Sequence, residues 1–211
     1  MKILINAGPT RESIDPVRFI TNHSTGKMGY ALASAAIKAG HEVTLVSGPV
    51  HLEPPSGLKR MIRIVTAAEM ADVMKQFFPE AELTILCAAV ADYRPKHYSQ
   101  SKLKKQEGGM MLELERTEDI ALTLGGMKQG GQRLAGFAAE TDDVEQNAIK
   151  KLKAKNFDWI VSNRIGLPGS GFGSDTNRIK LYASDGTMTD LGSDLKTRLA
   201  DVLIRIFTAG K

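Results

Sequence analysis

Leu83-Thr84-Ile85-Leu86-Cys87-Ala88-Ala89 is the stretch that decides the fold. It is almost wholly apolar and does not alternate, so it reads as a strand buried on both faces, as in a parallel sheet. Working outward, Lys2 to Asn6, Glu42 to Ser47, Ile62 to Val65, Arg133 to Ala138 and Asp158 to Ser162 read as further short strands. Helical periodicity fills the gaps over Gly26 to Ala39, which ends at Gly40, over Ala67 to Phe78 and over Asp143 to Ala154. Strands alternating with helices of about ten to fifteen residues predict βαβ units. The expected fold class is therefore α/β, a mostly parallel sheet with helices on both faces.

Two regions leave that rhythm. Lys102 to Glu115 alternates polar and apolar residues around Glu107-Gly108-Gly109 and predicts a hairpin excursion, a flap over approximately residues 95–116. Ile179 to Ala183, the turn at Asp185-Gly186 and Met188 to Leu191 predict a second hairpin. A closing amphipathic helix carries Leu195, Leu199, Val202, Leu203 and Ile206 on one face. No repeat, linker or low-complexity segment interrupts residues 1–211, so a single domain is expected.

Bulk properties narrow the function. The 211 residues can bury a substantial core. A net charge of +4 suits an acidic small molecule at least as well as nucleic acid, no Lys/Arg block reaches the length of a basic tail, and no nucleic-acid partner is expected. The single cysteine, Cys87, forms no internal disulfide and favours a reducing compartment. The apolar run after Met1-Lys2 is too short for a signal peptide, and no apolar stretch approaches a membrane span. A cytoplasmic chain without a membrane partner is the expectation. The four histidines show no ligand spacing and no metal ligand is assigned.

The chemistry concentrates in loops after the strands, where α/β sheets bind ligands. Thr21-Asn22-His23-Ser24-Thr25-Gly26-Lys27-Met28-Gly29 opens the first helix and offers free N–H groups, a hydroxyl and the positive end of a dipole, which suits an anion. Arg18 lies just upstream. Ala88-Ala89-Val90-Ala91-Asp92-Tyr93-Arg94-Pro95 places small residues at a strand end, where another molecule could approach the backbone. No Gly-x-Gly-x-x-Gly follows the first strand, and Gly26-Lys27-Met28 lacks the Ser or Thr of a phosphate-binding P-loop. Tyr98-x-x-x-Lys102 matches the pair of short-chain reductases, but after Arg94-Pro95 its context is a loop. An NAD(P)-dependent reductase remains the first alternative, and a non-catalytic nucleotide-sensing module the second.

In order and coverage, the chain resembles the phosphopantothenoylcysteine synthetase family, the ligase step of coenzyme A synthesis. The resemblance runs through Ala7 to Glu12, Asp15 to Ile20, Asn22 to Gly29, Val43 to Pro49, Ala88 to Arg94, Lys102-Leu103-Lys104-Lys105, Gly136 to Thr141 and Val161-Ser162-Asn163. It implies a Rossmann-like fold, with the flap serving a homodimer. It also implies that 4′-phosphopantothenate and cysteine are joined through an acyl-cytidylate, with CTP and Mg²⁺ required. Asn22, Lys102 and Arg18 are the implied catalytic residues. Ala88, Ala89, Asp92, Lys102, Glu118, Asp119, Ile120, Ala121, Phe137, Lys151 and Lys155 would contact the nucleotide. Arg18, Asn22, Ser24, Gly26, Lys27 and Asn163 would contact phosphopantothenate. A decarboxylase, fused ahead of the ligase or acting in trans, is the implied protein partner. Thr25, Leu103 and Thr117-Glu118-Asp119 depart from the bacterial pattern, the last where base contacts are expected.

Overall fold

In the computed structural model, residues 1–210 are described except 106, 141–143 and 165–172; the side chains of 140, 144 and 164 are likewise outside the description. The chain runs β1 (Lys2–Ala7), β2 (Arg11–Ser13), β3 (Phe19–Thr21), α1 (Lys27–Lys38), β4 (Glu42–Ser47), β5 (Arg60–Arg63), α2 (Ala67–Phe77) and β6 (Leu83–Leu86). It continues through β7 (Tyr93–Pro95), β8 (Leu114–Arg116), α3 (Ile120–Met127), β9 (Arg133–Glu140), α4 (Val144–Ala154), β10 (Trp159–Arg164), β11 (Thr176–Ala183), β12 (Met188–Leu195) and α5 (Lys196–Thr208).

Eight strands form one sheet in the order β12-β11-β10-β9-β6-β1-β4-β5. The six from β10 to β5 are parallel, and β11 and β12 close one edge as an antiparallel hairpin. The chain builds β1, β4 and β5 to one side, then returns to lay β6 against the other side of β1. That reversal is a topological switch point, and it opens a crevice above the carboxyl ends of β1 and β6.

Apolar residues on both faces of β1 explain its central place. Ile3, Ile5 and Ala7 pack with α1 and α5, while Leu4 belongs to the opposite cluster with α2, α3 and α4. Gly29 lets α1 lie close, since a Cβ there would stand 2.5 Å from the Ala7 Cβ. The start of α2 is secured by a capping box, Thr66 with Glu69, and by Glu12 Oε1, which accepts from Ala67 N–H at 2.8 Å.

Several expectations shift. The third strand is Arg60–Arg63, two residues earlier than the apolar run suggested. The run from Leu83 leaves the sheet after Leu86, because Asn6 Oδ1 takes the N–H groups of Cys87 (2.7 Å) and Ala88 (2.9 Å). The flap is paired only at its base, β7 with β8; among the described residues, 96–113 form no strand, so the hairpin read over Lys102 to Glu115 is an irregular excursion. On α5 the buried stripe is Leu199, Ala200, Leu203, Ile204 and Phe207, whereas Leu195 is exposed and Val202 and Ile206 are half-buried.

Candidate functional site

The crevice at the switch point is a cleft of about 200 Å³. Its walls come from the start of α1, the segment after β6, the ends of β9 and β10, and the α5 start. The α1 start is unusual. Gly26 is its N-cap at φ 78°, no side chain caps it, and its first turn holds no acid. Lys27 instead puts a cation at the positive end of the dipole, which is unfavourable unless an anion lies nearby. Ser24 Oγ reaches the Gly26 N–H only at 3.4 Å, and Asp175 accepts from Lys27 Nζ at 2.7 Å.

The opposite wall is held by the backbone. Ala89 N–H donates to Gly8 O (2.9 Å), Thr10 N–H to Ala89 O (3.2 Å), and Thr10 Oγ1 accepts from Ala91 N–H (3.0 Å). Asn22 Nδ2 donates to the same Ala89 carbonyl at 2.9 Å. The small residues Ala88 and Ala89 thus present backbone to the cleft from a rigid position.

Ser24, Gly26, Lys27, Ala88, Ala89, Phe137 and Asn163 therefore meet in one cleft, with Asn22 bonded to its edge. A second group gathers at the start of α3. Asp119 caps that helix and pairs with Lys155 Nζ at 2.9 Å, and Glu118 pairs with Lys75 at 2.9 Å. Burial pushes the Asp119 carboxyl up, but Lys155 and the Leu122 N–H outweigh it, and the group stays below its ordinary value. Ile120 is buried in the core, so its side chain packs rather than contacts a ligand; Ala121 is half-buried. Lys151 is half-buried on α4, and the Asp92 side chain is exposed beside the flap base.

Lys102 and Arg18 lie elsewhere within the single chain. They line a separate groove of about 820 Å³ with Lys104, Met110 and Met111. Asp15 and Arg18 act together there. Arg18 pairs with Asp15 Oδ2 and donates to Leu103 O (2.8 Å), while Leu103 N–H donates to Asp15 Oδ2 (3.1 Å). The guanidinium holds the buried Asp15 carboxyl well below the usual carboxylate range. Tyr98 and Lys102 sit on irregular, exposed chain, which removes the helix that a reductase pair requires.

Sequence reasoning passed over Asn177 and Lys196, which line the cleft, and Asn6, Thr10 and Asp15, which position its loops. Lys196 was hidden as one more lysine near a helix start. Burial, and then the charge of Lys27, push its ammonium below the ordinary lysine value. Cys87 lines the cleft too, but burial pushes its thiol up to about 12, which suits a small packing residue and not a nucleophile. Among the described residues no group of three His, Cys, Asp or Glu side chains is placed to hold a metal ion. Residues 141–143 and 165–172 follow β9 and β10, and the parts of the expected site at Thr141 and beyond Arg164 lie outside the described residues.

Fold and cleft together define a Rossmann-like α/β protein with an uncapped helix start and two lysines, Lys27 and Lys196, at its switch point. The chain belongs to the family described as the DNA/pantothenate metabolism flavoprotein C-terminal domain, which it matches over residues 1–209. It is 52% identical over 189 residues to the coenzyme A biosynthesis bifunctional protein CoaBC of Bacillus subtilis, covering 90% of this chain and 46% of that protein. It is 49% identical over 210 residues to a cysteine/cysteine sulfinic acid decarboxylase of an unknown prokaryotic organism, covering 98% of this chain and 58% of that one. The chain thus spans about half the length of these curated relatives. A crystal structure of the C-terminal domain of CoaBC superposes with a TM-score of 0.82 at 43% identity, covering 97% of this chain and 92% of that one. No described helix is long and apolar enough to cross a membrane.

Proposed function

We propose that this chain is a phosphopantothenate–cysteine ligase acting in coenzyme A synthesis in the cytoplasm. The observation that carries the reading is the uncapped, lysine-bearing start of α1 at the switch point, in a chain so close to the CoaBC C-terminal domain. In the proposed reaction the carboxylate of 4′-phosphopantothenate attacks the α-phosphorus of CTP. A C–O–P linkage forms, the bond to the β-phosphate breaks, and pyrophosphate leaves. The amine of cysteine then attacks the acyl carbon, the C–N bond forms, CMP departs, and the amine proton passes to solvent.

The obstacle is electrostatic. Two like unit charges about 4 Å apart repel by about 4 kcal/mol at an effective dielectric of about 20, and the substrate phosphate adds more. Positive groups fixed in advance offset that repulsion without reorganising. In this reading Ser24, Gly26 and Lys27 hold a phosphoryl group, with Asn163 on the substrate side. Ala88, Ala89, Asp92, Phe137, Lys151, Lys155 and the 118–121 segment hold the nucleotide, with Ile120 contributing backbone only. Asn22 retains the acyl-cytidylate, and Lys102 neutralises charge at the α-phosphate. Arg18, engaged by Asp15, holds the flap that carries Lys102 and orients the acyl part through it. Mg²⁺ would arrive with the triphosphate, a mode that needs few protein ligands.

Lys102 lies outside the cleft of its own chain, so the reading includes a homodimer in which flaps complete the sites. A decarboxylase domain, fused or separate, would take the product onward. The test is pyrophosphate release that requires both CTP and phosphopantothenate before cysteine is added. Such release excludes a purely nucleotide-sensing module, and its absence overturns the reading.

A further inference from the structure

Asn163 and Asn177 project from neighbouring strands, β10 and β11, into the same cleft, and both are more than nine-tenths buried. Neither Asn163 Oδ1 nor Asn177 Oδ1 has a hydrogen-bond partner. A buried amide oxygen left without a donor is costly, and two beside each other in a cleft mark where a ligand completes the bonding. Lys196 stands with them, also more than nine-tenths buried, and its Nζ donates to Ser174 O.

We propose that Lys196, with the carboxamides of Asn163 and Asn177, forms a phosphoryl-group subsite on the β10–β11 side of the cleft. The inference rests on the ligase reading and adds residues to it. Charge favours a phosphoryl group over a carboxylate. Among the described residues, two ammoniums (Lys27 and Lys196) and a helix end worth about half a charge face a single carboxylate, Asp175. The surplus of about one and a half positive charges matches a phosphate monoester of about −1.5 to −2, whereas a carboxylate brings only −1. As they stand the two oxygens are acceptors, so binding an anion requires each carboxamide to turn about its terminal torsion and present its N–H groups to the phosphoryl oxygens, while Lys196 supplies the charge.

The phosphoryl group could be the polyphosphate of CTP or the phosphate of phosphopantothenate. Titration calorimetry of the wild type, Lys196→Gln and Asn177→Leu with pyrophosphate, CTP, phosphopantothenate and pantothenate separates them. Each variant should weaken phosphorylated ligands by about ten- to a hundredfold, the weight of a hydrogen bond to a charged group. Loss for CTP and pyrophosphate assigns the nucleotide; loss for phosphopantothenate with pantothenate unchanged assigns the acyl substrate. Asn177→Leu removes a buried amide oxygen that has no donor, so it should also raise the melting temperature of the ligand-free chain. That pairing of lost affinity with gained stability is what a purely structural role would not give. Should Lys196→Gln fail to fold, Asn177→Leu decides. Folded variants that bind every phosphorylated probe within about twofold of the wild type overturn the subsite. A wild type that binds these probes yet forms no amide counts against the ligase reading and leaves the subsite standing.

Discussion

Lys102 and Asn22 carry the proposed chemistry at the residue scale, and their surroundings separate their roles. Lys102 is an exposed flap residue, so its replacement costs little stability. Lys102→Gln should leave the melting temperature within a degree or so and cut pyrophosphate release at least about a hundredfold, as expected for losing one electrostatic contact made in the transition state. Release at the normal rate would remove Lys102 from its role. Asn22 instead donates to the Ala89 carbonyl. Asn22→Asp would set a carboxylate against that carbonyl and beside a phosphoryl anhydride. Amide formation should fall by about a hundredfold or more, with CTP still bound; normal turnover would contradict the assignment. Both residues stood out in the sequence because they sit in distinctive local strings, and the fold places Asn22 at the cleft edge. Asn177 and Lys196 did not, because each enters the cleft only once β11 has paired with β10 and α5 has packed against α1.

At the element scale the flap holds no strand among the described residues between its paired base strands, yet it is anchored at Leu103. Asp15 and Arg18 grip both backbone groups of Leu103, one residue from Lys102. Asp15→Asn should therefore free the segment, and trypsin cleavage at the exposed Lys102, Lys104 and Lys105 should quicken on the order of tenfold, the weight of one charge-assisted hydrogen bond. Unchanged cleavage would show that the anchor holds nothing. The pH dependence follows from the lowered carboxyl. A group whose folded value is depressed stabilises the fold above its ordinary value of 3.8 and loses that contribution as pH falls below it. Exchange of the Leu103 N–H, corrected for intrinsic rates, should accelerate below about that pH. The strands and helices of the βαβ frame were readable because apolar runs and 3.6-residue periodicity are local signals. The flap misled because alternation predicts pairing only where a partner strand exists. The α5 stripe misled because the helix rolls to seat Phe207 against Trp159, at a ring separation of 5.1 Å.

For the whole molecule, the order of strands decides where chemistry can occur. Apolar runs announced a parallel sheet, but no local pattern says that β6 returns beside β1, and that return creates the cleft. The same scale governs the distance between Lys102 and the Asn22 edge. Their grooves are separate within one chain, and Met110, Met111, Leu114 and Tyr98 leave apolar surface exposed on and beside the flap. Sedimentation equilibrium should give twice the chain mass at micromolar concentration. A strict monomer that is nonetheless fully active would mean that Lys102 reaches the cleft of its own chain or does not act.

The central claim is that fixed positive charge at the switch point brings two acids together long enough to be joined. Mass spectrometry of the products formed from phosphopantothenate, cysteine and each nucleoside triphosphate in turn tests it most directly. The account predicts phosphopantothenoylcysteine, CMP and pyrophosphate in equal amounts with CTP. Free cysteine and intact CTP after prolonged incubation with the folded protein would contradict it.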